Sequence, residues 1–203
     1  VVLTDDNFST IVTAVKEGRG IYANIQKVVQ YLLSSNIGEV LCIFLASVIS
    51  LVSSLSFGTP LVATHLLWIN LITDSLPAFA LGMEKTEDDV MKESPRDKNE
   101  HFFAHGLGFD IIWQGTMIGL LSLISYAIGN NHSHELGQTM AFITLSTCQL
   151  FHAFNIKSHH SIFNKKTFNN FYLIIAFVLG LALQILICYI PGLNSAFNLI
   201  ALD

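Results

Sequence analysis

Residues 32–55 read LLSSNIGEVLCIFLASVISLVSSL: 24 residues, mostly apolar, with a single charge, Glu39. About 20 predominantly apolar residues span the hydrocarbon core of a bilayer as a helix. The segment therefore reads as a membrane span, and the acid inside it is its anomaly. Working back toward the N-terminus, Phe8, Ile11, Val12, Val15, Tyr22, Ile25 and Val29 recur at near-helical spacing with no proline before the apolar block. One helix from about Asn7 to about Leu55 follows, roughly 70 Å long at about 1.5 Å per residue. Asp5 and Asp6 stand where its N-cap is expected. A helix of that length projects well beyond a membrane.

Working forward, Phe57-Gly58-Thr59-Pro60 signals a turn. Four more apolar blocks follow: Leu61–Leu81, Ile111–Ile128, about Thr139–Phe154 and Phe171–Tyr189. The whole chain of 203 residues is 52% hydrophobic and 12% charged, with a mean hydropathy of +0.55. That composition argues against both a disordered chain and a single water-soluble globule. The net charge of −5 supplies no basic field for nucleic acid, so none is expected as a partner. The fold class expected is all-α, a polytopic bundle of five transmembrane helices with a long stalk on the first and the lipid bilayer as its solvent. Every Lys and Arg falls before the first block, between the second and third, or between the fourth and fifth. In a five-pass weave these ten cations share one side, which the positive-inside rule makes cytoplasmic, N-terminus included.

Of fifteen carboxylates, Glu39 and Asp74 lie deep in apolar blocks. An acid at a helix centre costs about 2.5–3.5 kcal/mol on insertion scales, and such residues face a cavity or a partner. Asn36 precedes Glu39 by three residues; Asn70 and Thr73 precede Asp74 by four and one. Asn36, Glu39, Asn70, Thr73 and Asp74 together offer carboxylate, amide and hydroxyl oxygens, the donor set of a hard cation such as Ca²⁺. Gln149, midway along the fourth block, adds a further amide oxygen. Pro77 removes the helical donor to the Thr73 carbonyl, and broken backbone at membrane depth is tolerated where it lines an ion site. Gly38 is expected to loosen the first helix beside Glu39. Gly115 and Gly119 form a small-xxx-small pair for close helix packing. Cys42, Cys148 and Cys188 read as small core residues, and the histidines, His65 included, as solvated or interfacial. There is no phosphate-binding glycine loop or nucleophile elbow, so nothing in the chain reads as able to hydrolyse a nucleotide.

These residues resemble a known family. Asp5-Asp6-Asn7-Phe8-Ser9-Thr10-Ile11, Glu17-Gly18-Arg19, Ser34-Ser35-Asn36-Ile37-Gly38-Glu39-Val40 and Leu67-Trp68-Ile69-Asn70-Leu71-Ile72-Thr73-Asp74-Ser75-Leu76-Pro77-Ala78 are similar to segments of P-type Ca²⁺ pumps of the sarcoplasmic-reticulum type. The resemblance implies that the five blocks are helices five to nine of ten. It implies that Asn36 and Glu39, with Asn70, Thr73 and Asp74, are ion ligands, Asp74 being central. The eighth-helix ligand of the two-site pumps is Glu where this chain has Gln149, which favours one ion per cycle, or an ion countered by fewer charges. Ser75 stands where those pumps usually have Gly and is expected to stiffen the turn. By the same resemblance, residues 1–31 are the end of a phosphorylation domain and a cytoplasmic stalk, and 32–81 the ion-binding pair. Residues 82–105 form a cytoplasmic loop, and 106–203 supporting helices truncated before the last. Val1 is not a natural start, and the ATP- and Mg²⁺-binding domains, with the phosphorylated Asp, are expected upstream on the same pump. The function implied is the membrane part of a Ca²⁺-exporting ATPase, with protons as counter-ions, in a plasma membrane, bacterial rather than organellar. A pump for Mn²⁺, Na⁺ or H⁺ on the same scaffold, or a non-enzymatic membrane scaffold, is the alternative.

Overall fold

The computed structural model describes residues 7–52, 57–86, 88–92, 101–104, 106–157 and 170–201. Asp5 and Asp6, the 93–100 stretch and the 158–169 loop lie outside the described residues. Among the described residues there are only helices and turns. The first, α1, runs unbroken over Phe8–Val52, 45 residues or about 68 Å. Its cap is Asn7, whose Oδ1 accepts the Ser9 amide at 3.0 Å. One turn later the second apolar block departs from a single helix. It is α2 (Ala63–Trp68), a π-helical turn (Ile69–Thr73) and α3 (Ser75–Gly82). Then come a 3₁₀ turn at Asp88–Met91, α4 (Leu107–Asn130), α5 (His134–Lys157), α6 (Phe171–Tyr189) and the short α7 (Leu193–Ala196).

Three helices, α1, α4 and α6, are by length and composition able to cross a membrane. The other two blocks depart from that pattern for different reasons. The second is broken at its centre, and α5 is long enough but turns Gln138, Thr139, Ser146, Gln149 and His152 inward, all buried. Its polar content is thus a packed face rather than a solvated one. Arg19 Nη1 donates to the Val90 carbonyl at 2.7 Å, and Lys157 meets Glu84 at 3.7 Å, so a cation of α1 and one of α5 both contact the stretch that follows α3.

Gly38 does not loosen α1. It lies within the unbroken α1, where that helix crosses close to α4. A Cβ on Gly115 would stand 2.6 Å from the Ser34 carbonyl oxygen, and one on Gly119 would stand 2.7 Å from that of Gly38. Lipid offers no hydrophobic drive between helices, so van der Waals contact of this kind holds them together. The inward stripe of α1 is Tyr31, Ser34, Ser35, Gly38, Glu39, Cys42 and Ala46, spaced by three or four residues, with Glu39 at its middle. His65 is not interfacial: it is fully buried, its Nε2 2.6 Å from the Phe197 carbonyl and its ring against Phe142. An imidazole satisfied by backbone needs no water, and that is what permits its burial.

Candidate ion-binding site

The π turn exists because the Asp74 amide reaches back five residues to the Ile69 carbonyl, at 2.8 Å, rather than four. Pro77, in the first turn of α3, has no N–H to return to the Thr73 carbonyl, and normal bonding resumes with Ala78 N–H to Asp74 O at 3.1 Å. The Ser75 hydroxyl braces the turn by donating to the Asn70 carbonyl at 3.3 Å. One extra residue in this turn re-aims the side chains that follow, and such bulges concentrate at functional sites. Here the re-aimed residues are Thr73, 2% exposed, and Asp74, fully buried.

Opposite them, Glu39 is 4% exposed. Both its oxygens are engaged: Asn70 Nδ2 donates to Oε2 at 2.7 Å, and Gln149 Nε2 to Oε1 at 3.0 Å. Three segments of the chain therefore meet on one carboxylate. Asp74 Oδ1 accepts from the Tyr31 hydroxyl at 3.1 Å. Asp74 Oδ2 and Gln149 Oε1 are buried with no hydrogen-bond partner in the structure. Glu39 and Asp74 are thus two buried acids on neighbouring segments, linked through Asn70, which donates to Glu39 and stands one turn before Asp74. Two acids facing each other in a desolvated bundle, with acceptor oxygens left over, form a site short of positive charge. Five of the six sequence candidates lie at this junction, Thr73 through its position beside Asp74. Asn36 is not brought in: it is exposed, and its amide donates to the Leu32 carbonyl of its own helix at 2.7 Å. Asn70 sits at the rim, exposed on the same chain that buries Asp74.

Two residues at the site escaped the sequence reading. Tyr31 stacks at 6.1 Å on His152, whose Nε2 lies 2.8 Å from Ser34 Oγ. The signal was present: Tyr31, Ser35 and Glu39 are spaced i, i+4, i+8, and His152 is three residues beyond Gln149, so each shares a face with a site residue. Among the described residues, no three His, Cys, Asp or Glu side chains converge on one point. The donors are oxygens, two of them charged, which suits a hard cation and not a thiolate- or imidazole-bound metal.

The family described as Cation transporting ATPase, C-terminus, matches residues 58–203. The chain belongs to that family. Over its full length it is 42% identical to a calcium-transporting ATPase of Bacillus subtilis and 33% identical to the endoplasmic reticulum calcium ATPase srcA of Aspergillus fumigatus. A calcium-transporting ATPase 1 of Bacillus cereus is 43% identical, again across the whole chain. The chain spans 22–24% of the length of these relatives, so the family's C-terminal membrane part is what it represents. The broken second segment and the two buried acids both fall in a chain of this family, with Asp74 inside the matched stretch and Glu39 just ahead of it.

Proposed function

We propose that the chain is the ion-binding membrane portion of an ATP-driven pump that exports Ca²⁺ from the cytoplasm. The observation carrying this reading is the pair of buried carboxylates on two helices, with Asp74 Oδ2 and Gln149 Oε1 still unpartnered. Two negative charges match one divalent cation, and Gln149, being neutral, adds an oxygen without a third charge. One Ca²⁺ per cycle is the stoichiometry that balances. When the cation leaves, protons on Glu39 and Asp74 neutralise the site, making protons the natural counter-ions. The open rim at Asn70 is where further oxygens from the rest of the pump complete the six to eight that Ca²⁺ takes.

The engine lies in the rest of the pump, where ATP and Mg²⁺ bind. Its movements reach the site through α1, whose first half extends beyond the membrane as a stalk on the cytoplasmic side. The membrane is a plasma membrane, as suits the cation distribution and the Bacillus relatives. ATP-driven ⁴⁵Ca uptake by the full-length protein in sealed vesicles tests the reading directly, and no uptake would end it. A panel of Ca²⁺, Mn²⁺ and Na⁺ in a phosphorylation assay tests the choice of ion: Ca²⁺ is expected to support phosphorylation at the lowest concentration.

Glu39→Gln separates the site's members. Asn70 and Gln149 both donate to Glu39, so an amide at position 39 sets one N–H against another donor and removes a charge. Half-maximal Ca²⁺ for phosphorylation is expected to rise about a hundredfold, equivalent to about 2.7 kcal/mol. Asn36→Ala, which deletes an exposed amide bonded to its own helix, is expected to shift it less than about threefold.

A further inference from the structure

About 15 Å along the chain from Asp74, at the far end of α3, a second set of buried polar groups has no part in holding an ion. Glu84 Oε1 meets Lys157 Nζ at 3.7 Å, and Lys157, in the last turn of α5, is 3% exposed. Asn170, 7% exposed, donates to Glu84 Oε2 and to the Ala80 carbonyl, the latter at 3.0 Å, while its Oδ1 caps α6 by accepting Leu173 N–H at 3.0 Å. Asn24 of the α1 stalk, 8% exposed, donates to the carbonyls of Glu84 at 2.7 Å and Gly82 at 3.4 Å.

We infer that Glu84, Lys157, Asn24 and Asn170 form a clamp that fixes the end of α3 to the stalk and to α5 and α6, which makes Glu84 a positioning residue for ion binding at Asp74. The last four carbonyls of a helix lack helical donors. For α3 each is accounted for: Phe79 receives Met83 N–H at 3.2 Å, Leu81 receives Glu84 N–H at 3.2 Å, Ala80 receives Asn170 and Gly82 receives Asn24. Two of the four donors thus come from other helices. An eight-residue helix that begins at a π turn cannot hold its own direction. The clamp supplies it, and α3 is the short lever between the clamp and Asp74. A displacement of the stalk at Asn24 is delivered to the carboxylate at the other end of α3. Lys157 favours the negative end of α5, and its ion pair with Glu84 offsets part of the cost of burying it.

The inference rests on Asp74 being an ion ligand, and two arms keep the two ideas apart. In detergent without Ca²⁺, Glu84→Gln in the full-length protein removes the Glu84–Lys157 ion pair and lowers the thermal midpoint. The apolar pair Glu84→Leu with Lys157→Met removes both charges and restores it. An unchanged midpoint in Glu84→Gln overturns the clamp, whatever the pump transports. In sealed vesicles, Asn24→Leu and the apolar pair are expected to hydrolyse ATP but to take up roughly threefold less Ca²⁺ per ATP, or lower still. A purely structural role would leave that ratio intact in variants that fold, so a wild-type ratio in Asn24→Leu overturns the positioning role. Absence of uptake by the unmutated protein removes the transport reading and leaves the thermal arm to judge the clamp.

Discussion

Asp74→Asn in the full-length protein is expected to raise the Ca²⁺ needed for phosphorylation by ATP about a thousandfold, while the ion-free protein unfolds at the same temperature or higher. The two halves of that result have one origin. Asp74 is fully buried, with one oxygen on Tyr31 and the other on nothing. At about 4 Å one unit charge contributes about 4 kcal/mol for each unit of cation charge at the effective dielectric suited to protein sites, so three decades in affinity against a divalent cation is a conservative figure. Without a cation the buried carboxyl must take up a proton to be neutral, a cost that asparagine does not carry. Asparagine keeps the shape and still accepts from the Tyr31 hydroxyl. A residue that merely glued helices together would show the reverse pattern, with stability lost and Ca²⁺ dependence kept. Titrating Ca²⁺ against phosphoenzyme, and following thermal unfolding in EGTA, reads both; unchanged Ca²⁺ dependence removes Asp74 from the ligand set.

Asp74 also shows what the sequence could and could not disclose. Hydropathy gives the depth of a residue, because an apolar block has a beginning and an end, and on depth Glu39 and Asp74 stood out at once. Azimuth around the helix is a different quantity. Asn36 lies three residues from Glu39, an offset of about 60° that sits at the edge of a face, and the structure turns it outward. Gln149, midway along its block, lands on Glu39 Oε1. The continuity of α1 was legible because no proline interrupts it, yet Gly38 was misread, since a glycine in a helix signals flexibility or close approach equally well until its neighbour is known. The π turn was half legible. Pro77 announced a lost bond, but the extra residue is stored one turn earlier, between Ile69 and Asp74. His65 and Tyr31 were hidden for a common reason: their partners are a backbone carbonyl 132 residues away and a carboxylate 43 residues away. No local pattern encodes those pairings.

The close crossing of α1 and α4 gives the second large effect. Gly119→Leu places a side chain whose first carbon would already stand 2.7 Å from the Gly38 carbonyl oxygen and 3.3 Å from its Cα. Those atoms are backbone of α1, so no rotamer change relieves the overlap, and the helices must part along the stripe that carries Glu39. The expected cost is about 3 kcal/mol or more, seen as a fall in the thermal midpoint followed by Trp68 and Trp113 fluorescence in detergent. Gly18 is the internal comparison. It lies in the exposed part of α1 with nothing within 4 Å of where a Cβ would be, so Gly18→Ala gains helix propensity of about 0.5–1 kcal/mol with no steric penalty. Opposite signs for two glycines of ordinary helical backbone separate contact from conformation: were the α1–α4 glycines present for flexibility, both substitutions would stabilise. Because Gly38 is one residue from Glu39, parting the helices also moves the ion site. Ca²⁺ dependence in whatever fraction of Gly119→Leu still folds should therefore weaken together with stability, whereas Gly18→Ala should leave it unchanged.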